Sequence, residues 1–182
     1  MKKTLFAIIA LICLATSGCT VKYSLSGASI PPDAKTFSSG ASIPPDAKTF
    51  SVAYFPNNAP MVAPILSATL TDELTQRFAS RTRLVQVPEG GDFAFDGEII
   101  GYTSTTSSVS SGDYALQNRL TITVKVNFTN AIDDKASFKA KSFSAYADYD
   151  STKLLTEVES TLIPEIVDQI VTDIFMAAAS NW

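Results

Sequence analysis

The chain has 182 residues, of which 46% are hydrophobic and 18% are charged, and its formal net charge is -4. This length and composition suit one globular domain with its own core and exclude extended disorder. The acidic balance disfavours nucleic acid as a partner, because phosphate contacts need clustered Lys and Arg. The chain contains no histidine, which removes the commonest general base and the commonest metal ligand.

Residues 1–18 have the features of a lipoprotein signal peptide. Two lysines give a positive start, an apolar stretch follows over residues 5–15, and small residues lead up to Cys19. The apolar stretch is shorter than the ~20 residues of a membrane-spanning helix. The pattern resembles a bacterial lipobox, in which the thiol of Cys19 takes a diacylglyceryl group and this cysteine becomes the first mature residue. The alternative is an ordinary signal peptide with a chance cysteine, and Thr16 stands where a lipobox usually has Leu.

The residues around Cys19 also predict the location of the mature protein. Cys13 leaves with the signal peptide, so we expect no disulfide. Thr20 follows Cys19, whereas the inner-membrane retention signal of enterobacteria has Asp there. We therefore expect a lipid anchor in the outer membrane, with the domain on the periplasmic side and no cofactor besides the covalent lipid on Cys19. Each buried CH₂ of that lipid contributes ~0.8 kcal/mol, so several acyl chains hold the protein lastingly.

A tandem duplication follows the predicted N-terminus. Residues 19–25 contain alternating apolar side chains and predict a first short strand. Residues 26–38 and 39–51 are then identical, each reading SGASIPPDAKTFS. Two copies are fewer than a repeat architecture needs, and each carries few core-type residues. We interpret residues 26–51 as a duplicated connection whose second copy feeds the next strand while the first is looped out, and residues 52–182 as one domain.

Hydrophobic periodicity predicts the elements of that domain. A strand at residues 48–55 precedes a helix from about Pro64 to Ala79, and a short strand at 82–87 precedes three long strands. The long strands cover residues 92–102, 119–128 and 137–149, separated by a polar Ser/Thr-rich connection and a turn. In the last of them the apolar phase switches, which predicts a bulge near Lys141–Ser142.

The chain ends in a second amphipathic helix. Its broad apolar stripe extends from Val158 to Phe175, and Pro164 is expected to kink it or to mark a restart. The predicted order is therefore β-β-α-β-β-β-β-α. This order favours an α+β two-layer sandwich, with a mostly antiparallel or mixed sheet and both amphipathic helices packed on one of its faces.

The sequence offers no catalytic constellation. No nucleophile with a partner base, no metal-ligand set and no phosphate-binding loop can be identified. Asp96 and Glu98 share one face of a predicted strand and could form an acid pair, but a solvated strand face is the simpler interpretation. We expect that the protein is not an enzyme.

The mature chain as a whole resembles the LptE family of lipopolysaccharide-assembly lipoproteins, in the form found in Bacteroidota. The resemblance is carried by the start CTVKYSLSGASIPPDAKTFSVAYFPN, the helix LSATLTDELTQRF, the segments FDGEIIGY, NRLTITVKVNFTN and SFSAYADYDS, and the end IVDQIVTDIF with Ser180, Asn181 and Trp182. The duplication is a departure from the family pattern.

The resemblance implies a plug-like partner of the outer-membrane barrel LptD, with which such proteins insert lipopolysaccharide into the outer leaflet. Lipopolysaccharide is anionic, so basic side chains could meet its phosphates. Arg119 and Lys125 are candidates for this contact by charge alone, and the alternative is a solvated strand face. The alternative function is a free periplasmic lipoprotein that binds a small lipid or serves as a scaffold for another envelope machine.

Overall fold

The structure is a computed structural model, and it describes residues 43–107 and 117–179. The signal peptide, Cys19, the strand predicted in residues 19–25 and the first copy of the duplication lie outside these residues. The helices and strands that it shows are β1 (Thr49–Val52), α1 (Leu66–Arg81), β2 (Val85–Gln86), β3 (Phe93–Ser107), β4 (Gln117–Asn130), β5 (Phe138–Asp150) and α2 (Leu155–Ala179), with a short 3₁₀ turn (Asp134–Ala136) before β5.

The five strands form one mixed sheet in the order β2-β1-β3-β4-β5. β1 runs parallel to both β2 and β3, whereas β3, β4 and β5 are joined as antiparallel neighbours. β1 begins within the second copy of the duplication, and Ala47 and Phe50 of that copy are fully buried. The described part of the duplication therefore supplies core residues and a strand.

Both helices pack on the same face of the sheet, which confirms the predicted α+β two-layer arrangement. The four apolar residues of α1 that share one face are all fully buried: Leu66, Leu70, Leu74 and Phe78. On β4 every second side chain from Leu120 to Phe128 points into the same core. Within the described ranges, neither helix combines the length and apolar character that crossing a membrane requires.

Three details differ from the sequence-based expectations. The bulge of β5 lies between Phe138 and Lys141, just before the predicted position. The pairing with β4 shifts there, between the pairs Val126–Lys141 and Phe128–Phe138. Ala140 in this interval has a φ of 52°. Of the two expectations at Pro164, a kink or a restart, the restart does not occur, since α2 continues through the proline as one element. A second bulge, between Ile99 and Gly101 of β3, was not predicted.

The bulge in β3 changes which side chains of that strand face the helices. Phe93, Phe95 and Ile99 are buried before it, and Tyr102 is buried after it. The hydroxyl of Tyr102 donates a hydrogen bond of 2.7 Å to Oε1 of Glu159 in α2. Burial, together with this bond, raises the pKa of Tyr102 well above its usual range. The buried phenol thus links the sheet to α2 in its neutral, donating form.

Candidate functional site

The face of β3, β4 and β5 that points away from the helices is polar, and we call it the open face. Its side chains are partly or fully exposed and alternate with the core residues along each strand. The open face consists of Asp96, Glu98, Thr103, Arg119, Thr121, Thr123, Lys125, Asn127, Ser142, Ser144, Tyr146 and Asp148. Both basic residues that the sequence suggested for lipopolysaccharide contact, and both acids of the suggested acid pair, lie on this one surface.

Arg119 forms a planar, two-point ion pair across the strands. Its Nε and Nη2 donate to Oδ1 and Oδ2 of Asp148 at 2.8 and 2.9 Å. The guanidinium carbon also lies 3.7 Å from the ring centroid of Tyr146, in a cation–π stack. The hydrogen bond from Arg119 holds the pKa of Asp148 below its usual range, and the same bond raises the pKa of Arg119. The pair is therefore fully charged at neutral pH.

Lys125 is paired as well, but with a carboxylate on the other neighbouring strand. Its Nζ lies 2.9 Å from Oε1 of Glu98, and Nδ2 of Asn58 donates to the second oxygen of that carboxylate at 2.8 Å. The hydrogen bond from Lys125 is the main reason why the pKa of Glu98 is lowered, and the bond from Asn58 adds to it. Next to this pair, Nδ2 of Asn127 donates to Oδ2 of Asp96 at 2.6 Å.

A shallow polar pocket of about 240 Å³ lies beside Lys125. It is lined by Pro56, Asp96, Gly97, Glu98, Lys125 and Asn127. The two acids do not form an isolated acid pair, because each accepts a hydrogen bond from its own partner on β4. Among the described residues there is no group of three metal-ligating side chains. The pocket is thus a polar recess whose two acids are each engaged by a side chain of β4.

The structure places Arg119 and Lys125 on one surface but does not bring them together. They lie six positions apart along β4, which corresponds to about 20 Å. Sequence reasoning missed their partners Asp148 and Glu98, which come from two different neighbouring strands. The pattern of each strand shows which side chains share a face, but only the register between strands shows which of them pair.

The residues that form this fold match a known protein family. The sequence profile of the LptE family, described as lipopolysaccharide-assembly, matches residues 47–178. No curated protein sequence matches the chain.

Solved structures with a similar fold have low sequence identity to the chain. A hypothetical protein from Chlamydia trachomatis is 12% identical, with a TM-score of 0.51, over 74% of this chain and 99% of that one. A minor lipoprotein from Acinetobacter baumannii is 15% identical, with a TM-score of 0.47, over 74% and 94%. Lipoprotein B from Nitrosomonas europaea is 13% identical, with a TM-score of 0.49, over 85% and 92%. At these identities the chlamydial protein supports the fold alone.

Because the family profile extends from the residues before β1 to the last turn of α2, the chain belongs to the LptE family of lipopolysaccharide-assembly proteins.

Proposed function

We propose that the protein is an outer-membrane lipoprotein, anchored through acylated Cys19, that acts as plug and assembly partner of an LptD-type barrel. In this role it helps to insert lipopolysaccharide into the outer leaflet and catalyses no reaction. The observation that carries the proposal is the match of the LptE family over residues 47–178. The signal-peptide pattern of residues 1–18 supports the anchor and the compartment.

The open face supports a role inside a barrel. Lumens of outer-membrane barrels are polar and filled with water or with a plug. The open face presents hydroxyls and ion pairs across three strands, while the helices cover the apolar face of the sheet. A surface of this kind needs no further apolar cover and stays hydrated next to polar lumen residues. The protein would therefore fill a lumen without exposing its core.

Arg119 and Lys125 remain our proposed contacts for lipopolysaccharide phosphates. Each side chain is partly exposed, at 35% and 40%, so an incoming phosphate can reach it. Each is also held in place by a carboxylate, so a phosphate would have to share or replace that partner. The guanidinium of Arg119 is further fixed by the ring of Tyr146, which favours a defined direction of approach.

The first experiment is a pull-down of the full chain from outer membranes in mild detergent, through a C-terminal tag. We expect an LptD-type barrel to co-purify in stoichiometric amount, and intact mass to show acylation of Cys19. The Cys19→Ser variant is the matched control, because it keeps the domain and should lose the anchor. A clean monomer without a barrel would contradict the plug and favour a free lipid-binding or scaffold lipoprotein.

A second experiment tests the phosphate contacts. Arg119→Gln and Lys125→Gln are compared for binding to lipopolysaccharide and to the same lipid after dephosphorylation. A lost charge-assisted hydrogen bond predicts roughly tenfold weaker binding to the phosphorylated lipid only. Arg81→Gln, in the last turn of α1 and away from the open face, is the control and should bind as the parent does. Equal losses for both lipids would mean that the two side chains do not contact phosphate.

A further inference from the structure

Among the strands of residues 43–107 and 117–179, β5 forms the long outer edge of the sheet that has no further partner. β5 has 13 residues and lies at the end of the strand order, with β4 as its neighbour. The opposite edge is β2, which has only two residues. A long edge strand presents unpaired backbone N–H and C=O groups and can pair with another strand. Among the described residues, no other strand pairs with β5.

This edge is protected at its start and unprotected afterwards. Lys139, the bulged Ala140 and Lys141 stand at the beginning of β5, and exposed lysines and bulges are common devices against edge pairing. From residue 142 to Asp150 the strand contains no lysine, no proline and no bulge, and its register with β4 is unbroken. The available edge is therefore the stretch 142–150, whose central residue is Tyr146.

The sequence of this stretch is nearly symmetric about its centre. It reads SFSAYADYD, in which Tyr146 is flanked on both sides by alanine, then a polar residue, then an aromatic one. Antiparallel pairing of two copies about Tyr146 would oppose aromatic to aromatic and alanine to alanine. The pairs are Phe143 with Tyr149, Ala145 with Ala147, Ser144 with Asp148, Ser142 with Asp150, and Tyr146 with itself. In this register no charged side chain stands opposite a like charge, and each sheet face continues in the second copy.

The side chains on the open face also suit a twofold axis at Tyr146. Tyr146 is 50% exposed, and Arg119 of the same chain stacks on one side of its ring. At a twofold axis the two tyrosines would meet, and an arginine would flank each of them. Aromatic pairs directly opposite one another are among the favourable cross-strand contacts. An exposed tyrosine that is already held by a cation is thereby ordered before association, which lowers the entropy cost.

We propose that a second copy of this chain pairs with β5, giving a twofold dimer in which residues 142–150 are antiparallel and Tyr146 lies on the axis. Other registers fit less well. An axis at Ala145 would bring Lys141 and the bulged Ala140 into the paired stretch, and an axis at Asp148 would oppose two carboxylates. The dimer is a state of the chain outside the barrel, and its existence does not depend on the proposed barrel partnership.

Cysteine cross-linking tests both the dimer and its register. The tagged full chain, in excess mild detergent, carries Tyr146→Cys or, as matched control, Ser142→Cys on the same exposed side of β5. On the axis, the two thiols at position 146 would face each other. The two thiols at position 142 would be about 27 Å apart along the strands, which is far beyond disulfide range. With a mild oxidant we expect a covalent dimer for Tyr146→Cys, and none for Ser142→Cys or the parent.

Sedimentation gives a second measurement that needs no cross-link. Tyr146→Lys would place two lysines opposite each other and remove the aromatic pair, so dimerisation should weaken at least about tenfold. Ser142→Lys is the matched control, because its lysine would stand opposite Asp150 of the other copy, and it should weaken dimerisation far less than Tyr146→Lys. Thermal unfolding of each variant verifies that it is folded.

Three outcomes would overturn the proposal. One is a monomeric parent, and another is equal cross-linking, or none, for two folded cysteine variants. The third is a folded Tyr146→Lys variant that dimerises as tightly as the parent, which would show that residue 146 does not lie on the axis.

Discussion

At the scale of single residues, Asp92 fastens the start of β1 to the start of β3. Its Oδ2 accepts hydrogen bonds from the backbone N–H groups of Lys48 and Thr49, at 2.8 and 2.9 Å, and from the hydroxyl of Thr49 at 2.9 Å. The hydroxyl oxygen of Thr49 in turn accepts from the N–H of Asp92 at 3.0 Å. These bonds, led by the one from Lys48, hold the pKa of Asp92 below its usual range.

Asp92→Asn is therefore expected to lower stability in a pH-dependent way. A carboxyl whose pKa is depressed by folding adds stability above its unfolded pKa of about 3.9, and this stability is lost as the pH falls through the folded pKa. The parent should thus unfold at higher urea than Asp92→Asn at neutral pH, and the difference should shrink in acid. Glu89→Gln, at an exposed position three residues earlier, is the control. A difference that is the same at all pH values would show that the charge of Asp92 does not matter.

Gly97 is the second single residue on which the sheet depends. A Cβ placed there would overlap the carbonyl oxygen of Lys125 and lie 2.7 Å from Cε1 of Phe55. Neither obstacle is the flexible end of a side chain, so the backbone of β4 or the ring would have to move. The close approach explains why glycine stands here beside the polar pocket.

Gly97→Ala should accordingly cost ~1–3 kcal/mol of the free energy of unfolding, the range that overpacking produces. Gly101→Ala is the matched control in the same strand, because its Cβ would come no closer than 3.1 Å to Thr123. Urea unfolding of both variants compares the two costs. If Gly101→Ala were the more damaging substitution, the close approach at Gly97 would not be the limiting contact.

At the scale of elements, α2 contains a proline in its interior. Pro164 is exposed and lies within the helix Leu155–Ala179. A proline inside a helix removes one backbone hydrogen bond and crowds the preceding turn. The packing of the apolar stripe, with Leu162, Ile163, Ile166 and Val167 buried on both sides of the proline, keeps the helix continuous.

Pro164→Ala should therefore stabilise the protein by ~1–3 kcal/mol, because alanine restores the bond without removing a buried contact. Glu165→Ala, at the next exposed position, leaves the helix hydrogen bonds unchanged and should alter stability by less than about 0.5 kcal/mol. Denaturant unfolding measures both. A destabilised Pro164→Ala would mean that the proline sets a geometry on which the packing of α2 depends.

The elements differ in how far the sequence alone determines them. The faces of α1 and β4 could be predicted, because Leu66 to Phe78 and Leu120 to Phe128 follow helix and strand periods without interruption. The position of the bulge at Ala140 and the bulge after Ile99 could not, since both arise from pairing with β4. The charges of Arg119 and Lys125 were also visible in the sequence. Their pairing with Asp148 and Glu98 was not, because it depends on the register between strands.

At the scale of the whole molecule, Phe78 connects the sheet with both helices. Its ring lies 5.9 Å from that of Phe50 on β1, 4.6 Å from Phe95 on β3 and 5.0 Å from Phe175 on α2, measured between centroids. The side chain is fully buried. Because this one side chain contacts three elements besides its own helix, its loss should destabilise the entire domain.

Phe78→Ala is expected to cost ~3–5 kcal/mol, as large-to-small substitutions of core phenylalanines do. A domain of this size has a total stability of only ~5–15 kcal/mol, so the variant should unfold at far lower denaturant. If the sheet and the helices share one core, the far-ultraviolet and near-ultraviolet circular dichroism signals should be lost in a single coincident transition. Phe175→Ala, at a partly exposed position against the same ring, should keep that single transition and cost less. Separate transitions for the two signals would show instead that the helical layer can detach from a sheet that remains folded.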